Sequence, residues 1–153
     1  MVSRIVARQL GLEELISVLS NEHHEQKKRL RDIIDVLGKK EYARAARLVS
    51  EFDNSSIQHI VDEENVLLKL FIDAYGREGA DEAIKVFQQH RTMHKLADAI
   101  ANKALTSPES LGSLPSDFDK LVRSHFEAEE ERIFPWALKT YQTLRSKHPR
   151  ISM

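Results

Sequence analysis

Glycine and proline are so sparse in this chain, and so clustered, that most of its length has no local reason to stop being helical. Five glycines and four prolines in 153 residues leave four long segments rich in Leu, Ala, Glu, Lys and Arg between short breaks. The first runs from about Leu12 to Leu37, with Leu12, Ile16, Leu19, Leu30, Ile33 and Leu37 at helical spacing, His23 filling the gap in that stripe, and Gly38 placed to end it. The second runs from about Glu41 to Tyr75 and carries Tyr42, Ala45, Val49, Phe52, Leu67, Leu70 and Ala74 on one face, with His59, Ile60 and Glu63 in its middle. Asn54-Ser55-Ser56 is a weak point where this helix bends or starts afresh. After Gly76 and Gly79, the third segment aligns Ala83, Phe87, His90, His94, Ala97, Ile100 and Ala104. The stretch from Thr106 to Pro115 reads as a loop, with Ser116 and Asp119 as the cap of a fourth helix carrying Phe118, Leu121, Val122, His125, Ile133 and Trp136. Breaks this short favour antiparallel neighbours. The expected fold is all-α, an up-down-up-down antiparallel four-helix bundle over about residues 12 to 145 of a single domain, 1 to 153.

Composition narrows the chemistry. With no cysteine in the sequence, disulfides, thiolate zinc sites and iron–sulfur ligation are excluded, so any metal must be held by imidazole and carboxylate. The 23 basic and 24 acidic side chains leave a formal charge of −1, which gives no basis for a nucleic-acid partner. No apolar run approaches a membrane span, and the start, with Arg4 and Arg8, reads as a basic leader into the first helix rather than a signal or transit peptide. The expectation is a cytoplasmic protein, monomer or homodimer, with no membrane partner.

Histidine is the unusual entry, at seven. Six fall in the middles of the four helices. His59 and Glu63, and likewise His90 and His94, are four residues apart and so project from one helical face. Counting outward from each turn puts the clusters at matching depth. His23 and His59 lie about 16 and about 20 residues from the first turn; the second-helix and third-helix pairs lie about 16 and about 15 from the next. The third-helix pair and the midpoint of His125 and Glu130 each lie about 18 residues from the last loop. Unrelated core histidines have no reason to share a level. Buried charges gathered there would cost several kcal/mol each unless cations neutralised them. Five imidazoles with carboxylates suit a pair of iron or manganese ions, and zinc or copper takes the same donors. The Glu-x-x-His of ferritin-like di-iron bundles is absent.

Glu22-His23, His59-Ile-Val-Asp-Glu63-Glu64, His90-Arg-Thr-Met-His94 and His125-Phe-Glu-Ala-Glu129-Glu130, followed by an acidic run into Phe134-Pro135, together resemble the hemerythrin-like HHE cation-binding family. The resemblance implies a non-haem di-iron centre, oxo- or hydroxo-bridged, in which His90, His94 and His125 hold one iron, His23 and His59 the other, and Glu63 and Glu130 bridge them. An open position on the second iron would then take O2, NO or peroxide. Two positions have neighbours competing for the same role. Heptad phase favours His23 over His24, which falls with Ser17, Lys28 and Arg31 on a polar side. On the fourth helix an ideal α-helix puts Glu129 about 40° from His125 and Glu130 about 140° away. The family pattern points to Glu130, with a local helical irregularity near Pro135 to supply the reach.

Other residues read as ordinary structure. Lys27-Lys28-Arg29, Glu127 and Glu131 belong to solvated faces, His148 to an exposed basic tail, and Trp136, Phe134 and Phe126 to the core, with Phe126 or Leu67 also placed to line a dry ligand pocket. The leading functional expectation is a di-iron protein that binds, senses or scavenges O2 or a related small ligand. A redox enzyme acting on peroxide or NO, or supplying iron to damaged clusters, is the second; the extra Cys-containing segment common in such repair proteins is absent. A structural or interaction bundle with incidental histidines is the third.

Overall fold

The computed structural model describes residues 5–147; His148 and Arg4 lie outside them. The described residues fold almost entirely as helix. Helix α1 spans Leu12–Gly38, and α2 spans Tyr42–Ser55. A single turn at Ser56 separates α2 from α3, Ile57–Asp62, which passes through a π-helical turn at Glu63–Leu67 into α4, Leu68–Gly79. Helix α5 spans Asp81–Thr106. After a short 3₁₀ turn at Pro108–Ser110, α6 (Leu114–Ala128) leads through a second π-helical turn, Glu129–Ile133, into α7, Phe134–Lys147. The described residues thus form four rods: α1; α2 to α4; α5; and α6 to α7. No described helix is long and apolar enough to cross a membrane.

Two apolar clusters show how the rods lie together. One joins Leu12, Leu15 and Leu19 from the beginning of the first rod to Leu67 and Phe71 late in the second, Ala83 and Phe87 early in the third, and Ile133 and Ala137 late in the fourth. The other joins Leu30 and Ile33 to Val49 and Phe52, to Ala97 and Ile100, and to Phe118 and Val122, the opposite ends of the same four rods. Between these clusters lies a waist of buried polar side chains: His23, His59, Asp62, Glu63, His90, His125 and Glu129.

The breaks follow local chemistry, with one departure from the sequence expectation, at the start of the fourth rod. The serine-rich point after Phe52 is a true helix end. Gln26 crosses from α1 to donate to the Phe52 carbonyl at 3.1 Å and to Ser56 Oγ at 2.7 Å, and Ser55 Oγ donates to Gln26 Oε1 at 2.9 Å. This replaces part of the helical hydrogen bonding lost at the break. Helix α1 ends at Gly38, as its sequence position suggested, and the left-handed residue of the turn that follows is Lys40, at φ 61°. Gly76, at φ 72°, breaks the helical path before the nominal end of α4, a conformation open to glycine without a Cβ penalty. The fourth rod begins at Leu114, two residues ahead of the expected cap at Ser116, because Pro115 fits a first helical turn whose N–H groups have no intrahelical acceptor. Ser113 precedes it, its hydroxyl donating to Asp117 at 2.9 Å.

Candidate metal centre

Each rod delivers one histidine to the waist. His23, His59, His90 and His125 are all at most 6% exposed. Two rods also deliver a carboxylate, Glu63 and Glu129, both fully buried. Each lies four residues after a histidine, so it shares that histidine's helical face.

Both carboxylates open a π-helical turn. The Leu68 N–H reaches back to the Glu63 carbonyl and the Phe134 N–H to the Glu129 carbonyl, five residues each. The extra residue in each turn rotates the following rod, so that Leu67 and Ile133 return to the apolar cluster. In the fourth rod Pro135 has no N–H to give to the preceding turn, which favours the irregularity.

The inner geometry is two-sided. Glu63 turns Oε2 to His59 Nε2, at 3.2 Å, and Oε1 to His90 Nε2, at 3.0 Å. Glu129 turns Oε1 to His23 Nε2, at 2.9 Å, and Oε2 to His125 Nε2, at 3.4 Å. Two overlapping donor groups result, His23–His59–Glu63–Glu129 and Glu63–His90–His125–Glu129, with the donor atoms of each within 4.8 Å of one another. Among the described residues His59 Nε2, His90 Nε2, both oxygens of Glu63 and Oε2 of Glu129 are buried without a hydrogen-bond partner. Buried polar atoms are nearly always paired, and five orphans converging on one point are what a pair of cations would satisfy. All donors are nitrogen or oxygen, so the set fits iron, manganese or zinc.

An outer ring of acceptors holds the imidazoles. Nδ1 of His59 donates to Glu22 at 3.1 Å, Nδ1 of His90 to Glu64 at 2.9 Å, and Nδ1 of His125 to Gln89 Oε1 at 2.9 Å. Nδ1 of His23 faces Glu130 Oε1 at 3.3 Å, and Lys27 lies 3.9 Å from the same carboxylate. With the proton on Nδ1, the lone pair of Nε2 points inward. Farther out, Arg8 donates through Nη2 to Glu22 at 2.8 Å and through Nε to the buried Asp62 at 2.6 Å, which ties the segment before α1 to α3.

Proton affinities reflect the crowding of charge. Burial alone would lower the His59 and His90 values, but Glu63 and the other carboxylates outweigh it. His59 rises well above its ordinary 6.5, and His90 rises to about 9. Burial likewise opposes ionisation of Glu129, and the His125 charge with hydrogen bonds from its neighbours overcomes it, holding the carboxyl well below the usual range. Glu22 is brought down to about 2, against its desolvation, by His59 and Arg8.

The structure brings together five of the seven residues read from the sequence: His23, His59, Glu63, His90 and His125. His24 is exposed. His94 stands outside both groups, its side chain 64% exposed and its Nδ1 donating to Asp53 at 2.7 Å. The inward stripe of α5 runs His90, Met93, Ala97, Ile100, Ala104. A three-residue step after His90 therefore turns Met93 inward and leaves His94 on the flank. Glu130 also stands outside, 31% exposed in the outer ring, and Glu129 takes the inner place. The signal for Glu129 is its four-residue spacing from His125, the same as that of Glu63 from His59. The ring residues Glu22 and Gln89 each directly precede a waist histidine, and nothing in the apolar periodicity singles them out.

Beside the waist lies a cavity of about 20 Å³, walled by His59, His90, His125, Ile60, Met93 and Phe126, with Gln26 and Ser56 at its edge. One water-sized molecule fits such a space. Ile60 and His90 also border an open outer groove of about 450 Å³ that His94, Asp53, Arg91 and Lys95 line.

An all-helical protein whose waist converges four imidazoles and two carboxylates belongs to the class of helical cation-binding proteins. The family model of the hemerythrin HHE cation-binding domain matches residues 14–137, most of the chain, and the chain belongs to that family. No curated protein and no solved structure matches it.

Proposed function

We propose that the four rods form an up-down-up-down antiparallel four-helix bundle in a single cytoplasmic domain, and that its waist holds two iron ions that bind or sense O2, or a related small ligand such as NO or peroxide. His23 and His59 would serve one ion and His90 and His125 the other, with Glu63 and Glu129 shared. The observation that carries this reading is that each buried carboxylate turns one oxygen to each histidine pair. Supporting it, the small cavity against His59, His90 and His125 gives a ligand a mostly apolar berth.

Bound iron would supply the redox and ligand-binding chemistry. The chain's own residues do the rest. Nδ1 acceptors fix the imidazoles of His59, His90 and His125 with Nε2 inward, and the two glutamates balance cationic charge in a dry interior. Ile60, Met93 and Phe126 supply the apolar part of the cavity wall. Four donors per position close a tetrahedral zinc but leave coordination positions on iron. Anaerobic loading with ferrous ion should therefore give two irons per chain, and exposure to O2 should develop ligand-to-metal charge-transfer absorption. A protein that stays colourless and iron-free after loading would overturn the proposal.

A further inference from the structure

We infer that the two cation positions are unequal, and that Gln89 is the positioning residue that makes them so. This rests on the two-ion reading above. Both imidazoles of the first position face carboxylates: His59 Nδ1 donates to Glu22 Oε1 at 3.1 Å, and Glu130 Oε1 lies 3.3 Å from His23 Nδ1, a charge contact outside hydrogen-bonding geometry. In the second position His90 is backed by Glu64 at 2.9 Å, whereas His125 is backed by the neutral amide oxygen of Gln89 at 2.9 Å. Glu22 directly precedes His23 and Gln89 directly precedes His90. The two residues thus hold equivalent places in the first and third rods, and each supports the histidine of the following rod.

An amide and a carboxylate fix the tautomer and ring orientation equally well. Only the carboxylate adds negative charge and strengthens Nε2 as a donor. Arg8 moderates Glu22 without cancelling the difference, because the same guanidinium also serves the buried Asp62. One positive charge facing two carboxylates leaves the group net negative, and Lys27, half-exposed and 3.9 Å from Glu130, offsets that carboxylate only in part. On the other side Glu64 is 44% exposed, against 32% for Glu22 and 31% for Glu130, so water screens it more. The His23–His59 position therefore binds its cation more tightly than the His90–His125 position.

Stepwise anaerobic titration of the metal-free protein with Co(II), followed by visible absorption, tests this. Two steps of one equivalent each should be separated by about 10-fold or more in affinity, the usual reach of such outer partners. Gln89→Glu should tighten the second step and close most of the gap, and Gln89→Ala should loosen it, with the first step unmoved in both. Glu22→Gln should weaken the first step and spare the second. Equal affinities in the unmodified protein would overturn the inference. So would Gln89→Glu and Gln89→Ala shifting the second step the same way, since that is what a purely structural role predicts. If the unmodified protein fails to take up two Co(II) ions, the two-ion reading itself falls and takes this one with it.

Discussion

At one end of the rods Leu15, Leu19, Phe71 and Ile133 are shielded from water, and only one or two helical turns away His23, Glu63 and Glu129 are shielded just as completely. Equal burial has opposite energetic meaning in the two places. Removing apolar area from water stabilises the ends at about 25 cal/mol per Å². At the waist, burial strips water from carboxylates and imidazoles and leaves several of their atoms unpaired. The ends hold the fold together, and the waist is a region that the ends can afford to keep poised for cations. This division is what the following measurements can break or sharpen.

The largest effect should come from the ends. Phe118→Ala, in the cluster with Phe52 and Val122, should cost about 3–5 kcal/mol in denaturant unfolding. The loss should be similar with and without metal, and a loss seen only in the loaded protein would contradict the division. Metal removal comes next. With free metal at about 100 to 1,000 times its dissociation constant, loading should add about 2.7 to 4.1 kcal/mol, read as a higher melting temperature that a chelator reverses. A melting temperature indifferent to metal would mean that the waist is satisfied without it.

The pH dependence should run in opposite directions in the two states. His90, raised to about 9 from an ordinary 6.5, and His59, raised likewise, stabilise the metal-free protein when protonated. That contribution is fully present below about 6.5 and is lost as pH rises through about 9. Metal uptake needs these nitrogens free, so affinity should climb across the same window, and loading at neutral pH should release protons. Calorimetry in buffers of different ionisation enthalpy reads that release directly, and its absence would show that the imidazoles are already neutral.

The neighbours Glu129 and Glu130 separate inner from outer roles. Glu129→Gln should remove an oxygen donor shared by both positions and bring metal content below two per chain, whereas Glu130→Gln should weaken binding by about 10-fold and keep the stoichiometry. The reverse order would restore Glu130 as the inner ligand. The smallest effect belongs to His94→Ala, which should leave metal content unchanged and stability within about 0.5 kcal/mol, as for other surface positions.

Much of this molecule can be read along the chain because its signals are local. The sparse glycines, the apolar spacing from Leu12 to Ile33 and the serine-rich break after Phe52 place the helices to within a few residues, since helix formation depends on neighbours three and four positions away. Counting residues from the turns set four histidine-bearing clusters, the His90–His94 pair among them, at one level for the same reason, a constant rise per residue. The absence of cysteine restricted the donors to nitrogen and oxygen before any geometry was known.

Which of two adjacent side chains faces inward is a different kind of quantity. A helix turns about 100° per residue, so a one-residue choice or a single π-helical turn exchanges the waist for the flank. Packing at the ends sets that phase: Met93 enters the core and His94 is turned out, and Ile133 and Phe134 anchor a rod in which Glu129 faces in and Glu130 lies at the edge. The outer ring is still less local, since Glu22 meets His59 across 37 residues and Gln89 meets His125 across 36. The amino-acid order by itself determined the helices, their breaks and the chemical type of the site. Only the packed rods decided which donors share it, because rotation about a helix axis is fixed by contacts between rods and not by any signal within one.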